Sequence, residues 1–262
     1  MNNIIKQYKV LKSFIKENGD VFGFTLSHTL TDGLPILSDK LVNLDNVISE
    51  LRWYLKGRVD VKTLWEMGNH SWDGILYDRY KIWTLNNKHL GLDLFTKEEF
   101  INTIKNVPDF SDGWAHPGPM YGKQWRDFNG VDQIGQLVSD LKTNSNKILY
   151  ISSWNTNELQ FMAFNPNHNG FQIHKNDNKL SLSLSILRCD VTKELPHLIL
   201  LYSLFLEVLS KELSLKSENI IFNIGEAYDS EPLINIDYNT EFYDLKLSSV
   251  DIFTGNFNIK IK

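Results

Sequence analysis

From Leu198 to Leu213 the chain reads LILLYSLFLEVLSKEL, apolar on most sides of a helix. A helix without a broad polar face has to be enclosed, so the fold must supply layers around it. Tyr202, Ser203 and Glu207 interrupt the run, which is too short and too polar to cross a bilayer. Just upstream, Lys179–Ile186 sets Leu180, Leu182 and Leu184 against Ser181, Ser183 and Ser185, the alternation of a strand with one apolar face. Asn176-Asp177-Asn178 supplies a hairpin turn before it. Further strands are expected over Lys147–Trp154, Leu159–Phe164 and Phe171–His174. Leu41, Leu44, Val47, Ile48, Leu51 and Leu55 fall at helical spacing and Gly57 provides a stop; Ile134, Leu137, Val138 and Leu141 give a second amphipathic helix.

Composition narrows the functional classes. The 262 residues include 7 Trp, 10 Tyr and 15 Phe, enough for a substantial core. Net charge is −5 without a basic block, which argues against a nucleic-acid surface. One cysteine, Cys189, excludes an internal disulfide and a cysteine-based metal site. The seven histidines show no ligand spacing, so no metal is expected. Met1–Lys16 lacks the pattern of a signal peptide, and a soluble, cytoplasmic protein with no membrane contact is expected.

Chemistry enters with an ordered set of motifs. Phe22-Gly23 is followed by Leu34-Pro35-Ile36-Leu37-Ser38-Asp39-Lys40, then by Glu50-Leu51-Arg52-Trp53-Tyr54-Leu55-Lys56-Gly57 and Trp72-Asp73. Gly118-Pro119-Met120-Tyr121-Gly122-Lys123-Gln124-Trp125-Arg126 comes next, then Asp132-Gln133, Ser152-Ser153-Trp154-Asn155 and Cys189-Asp190-Val191. In this order the set resembles the thymidylate synthase family over most of the chain. The resemblance implies an α+β sandwich whose mixed sheet is covered by helices on one face and by a second subunit on the other. It also implies a homodimer, a small-molecule ligand and 5,10-methylenetetrahydrofolate as cofactor. The chain reads as a single domain, 1–262, with a variable insertion at about 74–116.

Leu159–Gln172, LQFMAFNPNHNGFQ, is similar to the family's active-site segment, with Met162, Ala163, Pro166 and His168 matching and Asn167 standing where the nucleophilic cysteine is expected. An amide nitrogen, its lone pair delocalised, cannot add to a pyrimidine ring as a thiolate does. Arginines that the family uses on phosphate correspond to Leu187, to Asn146-Lys147 and to the region of Ser13. Leu198 stands where an asparagine reads the pyrimidine edge, and Gly225–Ser230 departs from the sugar-holding segment. Arg188 is the candidate replacement for substrate binding, although its neighbour's face of the strand is the one that lost the arginine and a structural ion pair is the competing reading.

The remaining candidates are Glu50, implied to organise protons beside the acceptor, Tyr121 in the cleft, and Trp72 and Asp190 on the folate side. Trp72 and Tyr121 also suit a packing role. Glu50 lies on an apolar helical stripe, where a carboxylate is costly unless paired or functional. His168 reads as a hydrogen-bonded structural residue in preference to a general base. Cys189 has no adjacent His or Lys to activate it, so a buried thiol is expected. The terminus Asn258–Lys262 is unlike the family's apolar tail and speaks against the usual lid. The reading is a divergent folate-dependent methyl or hydroxymethyl transferase acting on a non-standard pyrimidine or other heterocycle without a cysteine nucleophile. The alternative is a pseudoenzyme serving as a dimeric scaffold; ordinary dTMP synthesis from dUMP is not expected.

Overall fold

The computed structural model describes residues 3–143, 148–232, 235–239 and 241–261. After α1 (Ile4–Asn18) and β1 (Val21–Thr29), the chain forms α2 (Leu44–Leu55), α3 (Val61–Glu66), α4 (Asp73–Asn86), α5 (Lys97–Asn106) and α6 (Pro108–Trp114). Then follow α7 (Tyr121–Arg126), α8 (Gln133–Lys142), β2 (Leu149–Ser152), β3 (His168–Asn176), β4 (Lys179–Asp190), α9 (Leu195–Glu212), β5 (Lys216–Tyr228), β6 (Leu245–Asp251) and β7 (Asn256–Ile261). The main sheet has the order β1-β5-β4-β3-β2. β4 and β5 run parallel through the α9 crossover and the other pairs are antiparallel, so the sheet is mixed and the fold is α+β.

The alternation in β4 works as expected. Leu180, Leu182, Leu184 and Ile186 are buried with Ile220, Phe222 and Ile224 of β5 and with Phe171 and Ile173 of β3. α9 lies in this core, where Ile199, Leu200, Leu201, Leu204, Phe205, Val208 and Leu209 are all inaccessible. The enclosure demanded by its composition is met within the chain. The sheet's apolar face is thereby covered without a second subunit. Its outer face carries a polar ladder, in which Thr25 pairs with Asn223, Thr29 with Asn219, and Asn223 donates to Ser183.

Helix ends follow their capping residues. The side chains of Asn43, Asp60, Thr96 and Asp132 each accept a backbone N–H at the start of α2, α3, α5 and α8. Asp177, with φ +52°, forms the β3–β4 turn. The expected strand over Leu159–Phe164 is instead a 3-10 turn, Leu159–Phe161, followed by irregular chain. Its amides are spent locally: Leu159 N–H donates to Asn155, Phe161 to Glu158 and Met162 to Leu159. The expected strand over Lys147–Trp154 is confined to Leu149–Ser152, and Lys147 lies outside the described residues. The insertion is largely helical: α4 and α6 flank α5 and enclose an aromatic cluster of Tyr77, Tyr80, Phe95, Phe100, Phe110 and Trp114.

Candidate active site

The motif residues knit one wall. Gln124 donates to Pro119 O and Glu158, Asn155 donates to Gln124 Oε1, and Trp125 Nε1 donates to Ser153 Oγ at 3.1 Å. Gln133 exchanges hydrogen bonds with Ser152 and donates to Gln124 O. Arg126 forms a bidentate pair with Asp132 at 3.0 and 2.9 Å, and caps the carbonyls of Leu55 and Phe253. The sequence order of these motifs is therefore a three-dimensional hydrogen-bond network joining α7, α8, β2 and the turn after it. Gly118 lets Leu159–Ala163 dock on it: φ is +86°, and a Cβ would lie 2.0 Å from Phe161 O. Ala163 N–H then donates to Pro117 O.

Between this wall, α2 and the start of α9 is a cavity of ≈ 320 Å³, within the usual span of small-molecule sites. Glu50, Tyr54, Trp72, Tyr121, Asn167 and His168 line it, joined by Asn43, Asn46, Lys193, Glu194, His197 and Leu198. The structure thus gathers Glu50, Tyr121, Trp72, Asn167 and His168 at one site. Asp190 and Arg188 are not among its lining residues.

Glu50 is buried, accepts a hydrogen bond from Tyr54 and lies 2.9 Å from His197 Nε2. That spacing is an ion pair, although the ring's N–H is not aligned for a hydrogen bond. Burial alone would raise the Glu50 pKa, but the adjacent His197 charge, with Tyr54, holds its carboxyl below the usual range. Burial likewise opposes a charge on His197, and Glu50 reverses this, raising it above the ordinary imidazole value. His168 is the contrary case. It stacks on Tyr121 with ring centroids 3.6 Å apart, shares a 2.6 Å hydrogen bond with Tyr202, and is pushed down to about 3 by burial, which outweighs the nearby Glu50 charge. His168 is therefore a neutral packing residue at neutral pH.

Asn167 is half-buried; its backbone N–H donates to the Tyr121 hydroxyl and its carbonyl accepts from Leu187. Its side chain has no hydrogen-bond partner among the described residues. Trp72 stacks on Phe164 at 6.0 Å and, with Leu41, Ile75 and Leu198, forms an apolar wall. Asp190 is committed to its own turn, accepting from Thr192 N, Lys193 N and the Ser230 hydroxyl. Arg188 pairs with Glu226 at 3.1 Å and lies over the Tyr228 ring, the structural arrangement weighed against anion binding. Cys189 is fully buried, and burial pushes its thiol well up, so it offers no thiolate to the cleft.

The profile described as Thymidylate synthase matches residues 15–229, more than three-quarters of the chain. The chain belongs to the thymidylate synthase family. It is 35% identical over 237 residues to the thymidylate synthase of Mycoplasma genitalium, covering 86% of this chain and 80% of that protein. It is 37% identical over 212 residues to that of Aster yellows witches'-broom phytoplasma, covering 79% and 70%. Against the Listeria monocytogenes enzyme the identity is 27% over 260 residues, covering 86% and 82%. Within this thymidylate synthase fold, reasoning from motifs missed Lys193 and Glu194, which precede the Leu195–Leu198 segment, and His197, which stands in that segment but for which the resemblance implied no role. The signal for His197 was Glu50 itself, a carboxylate on an apolar stripe that required a partner. The Asn146-Lys147 pair lies outside the described residues.

Proposed function

We propose that this member of the family is a folate-dependent one-carbon transferase whose acceptor is a phosphate-free pyrimidine or related heterocycle, already nucleophilic at carbon. The observation that carries this is the charge balance of the cleft. Among the described residues no arginine lines it, and the two cations that do are each matched, His197 by Glu50 and Lys193 by Glu231 at 3.2 Å. A phosphate monoester would meet no uncompensated positive charge, and a lysine already paired is a poor substitute for an arginine fork. The absence of a thiol beside the cavity points the same way, because the thiolate serves only to activate an unreactive ring carbon.

Trp72, Leu41, Ile75 and Phe164 fit a flat cofactor ring, and in this reading they would hold methylenetetrahydrofolate, which supplies the one-carbon unit when bound. Glu50 keeps a negative charge at the cleft floor and Tyr121 closes the side beside Asn167. Assembly as a homodimer through the outer sheet face accompanies the proposal, with Tyr150, Leu187 and Ile221 exposed there at 48%, 42% and 37%.

The purified chain, given dUMP and methylenetetrahydrofolate, is expected to form no dTMP, and Asn167→Cys is expected to leave that unchanged. Robust dTMP synthesis by the unaltered chain, or its appearance in Asn167→Cys, would contradict the proposal. A scaffold role is the second reading; it is favoured by the burial of the chain's one thiol, and absence of folate affinity would support it.

A further inference from the structure

His197 is unlike its neighbours in the cleft. Tyr121 and His168 are stacked together, Tyr54 is spent on Glu50, and Lys193 on Glu231. The His197 ring sets its buried Nε2 2.9 Å from Glu50 without an aligned hydrogen bond, and its Nδ1, which is not buried, makes no hydrogen bond among the described residues. The ring lines the cavity with its side chain 23% exposed. It is therefore a donor with one end held beside the Glu50 charge and the other open to a ligand. An imidazolium donates at both nitrogens, and charge-assisted bonds are about twice as strong as neutral ones.

We propose that His197 determines acceptor specificity, donating from Nδ1–H to a ring carbonyl oxygen of a neutral lactam heterocycle while Nε2 stays on the Glu50 carboxylate. This deepens the proposed function and rests on its reading of the cleft as an acceptor site. A carbonyl oxygen is the complementary group because His197 offers a donor and no acceptor once both nitrogens carry hydrogen. Asn167 and Asn43, the latter with its side-chain carbonyl already used to cap α2, offer amide groups for the rest of a lactam edge. A ring of pyrimidinone size suits a cavity of ≈ 320 Å³ that also holds an aromatic wall.

The titratable groups around His197 are Glu50 and Tyr54 from α2, Tyr121 from α7, His168 at the start of β3, and Lys193, Glu194 and Tyr202 before and along α9, and of these Glu50 is the one that raises it. Glu50 favours the imidazolium and His168, being neutral, does not oppose it. Binding of a carbonyl should thus weaken as the pH rises through the His197 titration.

Uracil and isocytosine serve as probes, with unsubstituted pyrimidine as the carbonyl-free control. The expected result is uracil binding that shifts the His197 Nδ1–H resonance, falls as His197 deprotonates and drops at least tenfold in His197→Phe. His197→Gln, which keeps a neutral donor, should retain an intermediate affinity, and circular dichroism of both variants checks folding. Binding of uracil as tight in His197→Phe as in the unaltered chain, binding no better than that of pyrimidine, or no binding at all would overturn the assignment. Titrating methylenetetrahydrofolate into the same samples reads the one-carbon function separately: folate binding that survives while uracil discrimination is absent removes the His197 role and leaves that function standing.

Discussion

Two imidazoles within one cleft carry opposite charge preferences, because burial disfavours the charge on both and only His197 has a carboxylate in contact to reverse it. His197 touches Glu50; His168 is enclosed by Tyr121 and Tyr202. Glu50→Gln removes the charge that holds His197 protonated, so His197 is expected to titrate below its free value of 6.5 in that variant, as ring NMR would read. The accompanying loss of stability should be roughly 1–3 kcal/mol, the cost of leaving a buried polar group unsatisfied. The sign of the pair's pH dependence follows. The His197 contribution is full below pH 6.5 and is lost as pH rises through its raised folded value, whereas that of Glu50 is present above 4.5 and lost as pH falls through its depressed one. His168 adds a second acid limb. It stays neutral in the fold down to about 3 and takes a proton near 6.5 when unfolded, so stability should fall on acidification below pH 6.5. The slope from this group is at most about 1.4 kcal/mol per pH unit, and His168→Asn should blunt it in urea melts across that range.

At the level of elements, the motifs were legible because their residues satisfy one another. Gln124, Gln133, Asn155 and Ser152 exchange backbone and side-chain hydrogen bonds that tolerate few substitutes, so their order in sequence encodes how α7, α8 and β2 dock. α9 and β4 were legible from composition alone, since a helix without a polar face and a strand with one apolar face have few arrangements open to them. Three features were not. The expected strand Leu159–Phe164 became a turn because Asn155, Glu158 and Leu159 capture its amides. α4 was hidden by having apolar side chains on several sides, with Tyr80 buried but Ile82, Trp83 and Leu85 exposed. The Glu50–His197 pair joins residues far apart in sequence, and only Glu50 carried a role that the motifs implied. Gly118→Ala tests the docking of the active-site segment. The added methyl group would collide with Phe161 O in a left-handed backbone, and a loss of about 1–3 kcal/mol is expected in denaturant unfolding. An unchanged midpoint would show that the segment is not held there.

For the whole molecule, the sheet's two faces divide the work. The inner face and α9 make a core that needs no second subunit to cover it, and no helix among the described residues is long and apolar enough to cross a membrane. The outer face, polar in the middle with Tyr150, Leu187 and Ile221 exposed, is the surface on which a homodimer is proposed. Ile221→Glu is expected to shift sedimentation from dimer to monomer without unfolding the chain, and a sedimentation profile indifferent to it would place any dimer elsewhere. The C-terminal strands β6 and β7 pair as a hairpin, fixed by Arg52 donating to Phe257 O and by the buried Ile252, and none of their residues lines the cleft. In the proposed function, folate would be held by the cleft walls themselves. Calorimetric titration of methylenetetrahydrofolate, with and without dUMP, is the most direct measurement. Saturable folate binding that is indifferent to dUMP is expected, whereas folate binding that requires dUMP, or no folate binding at all, would contradict the one-carbon function proposed here.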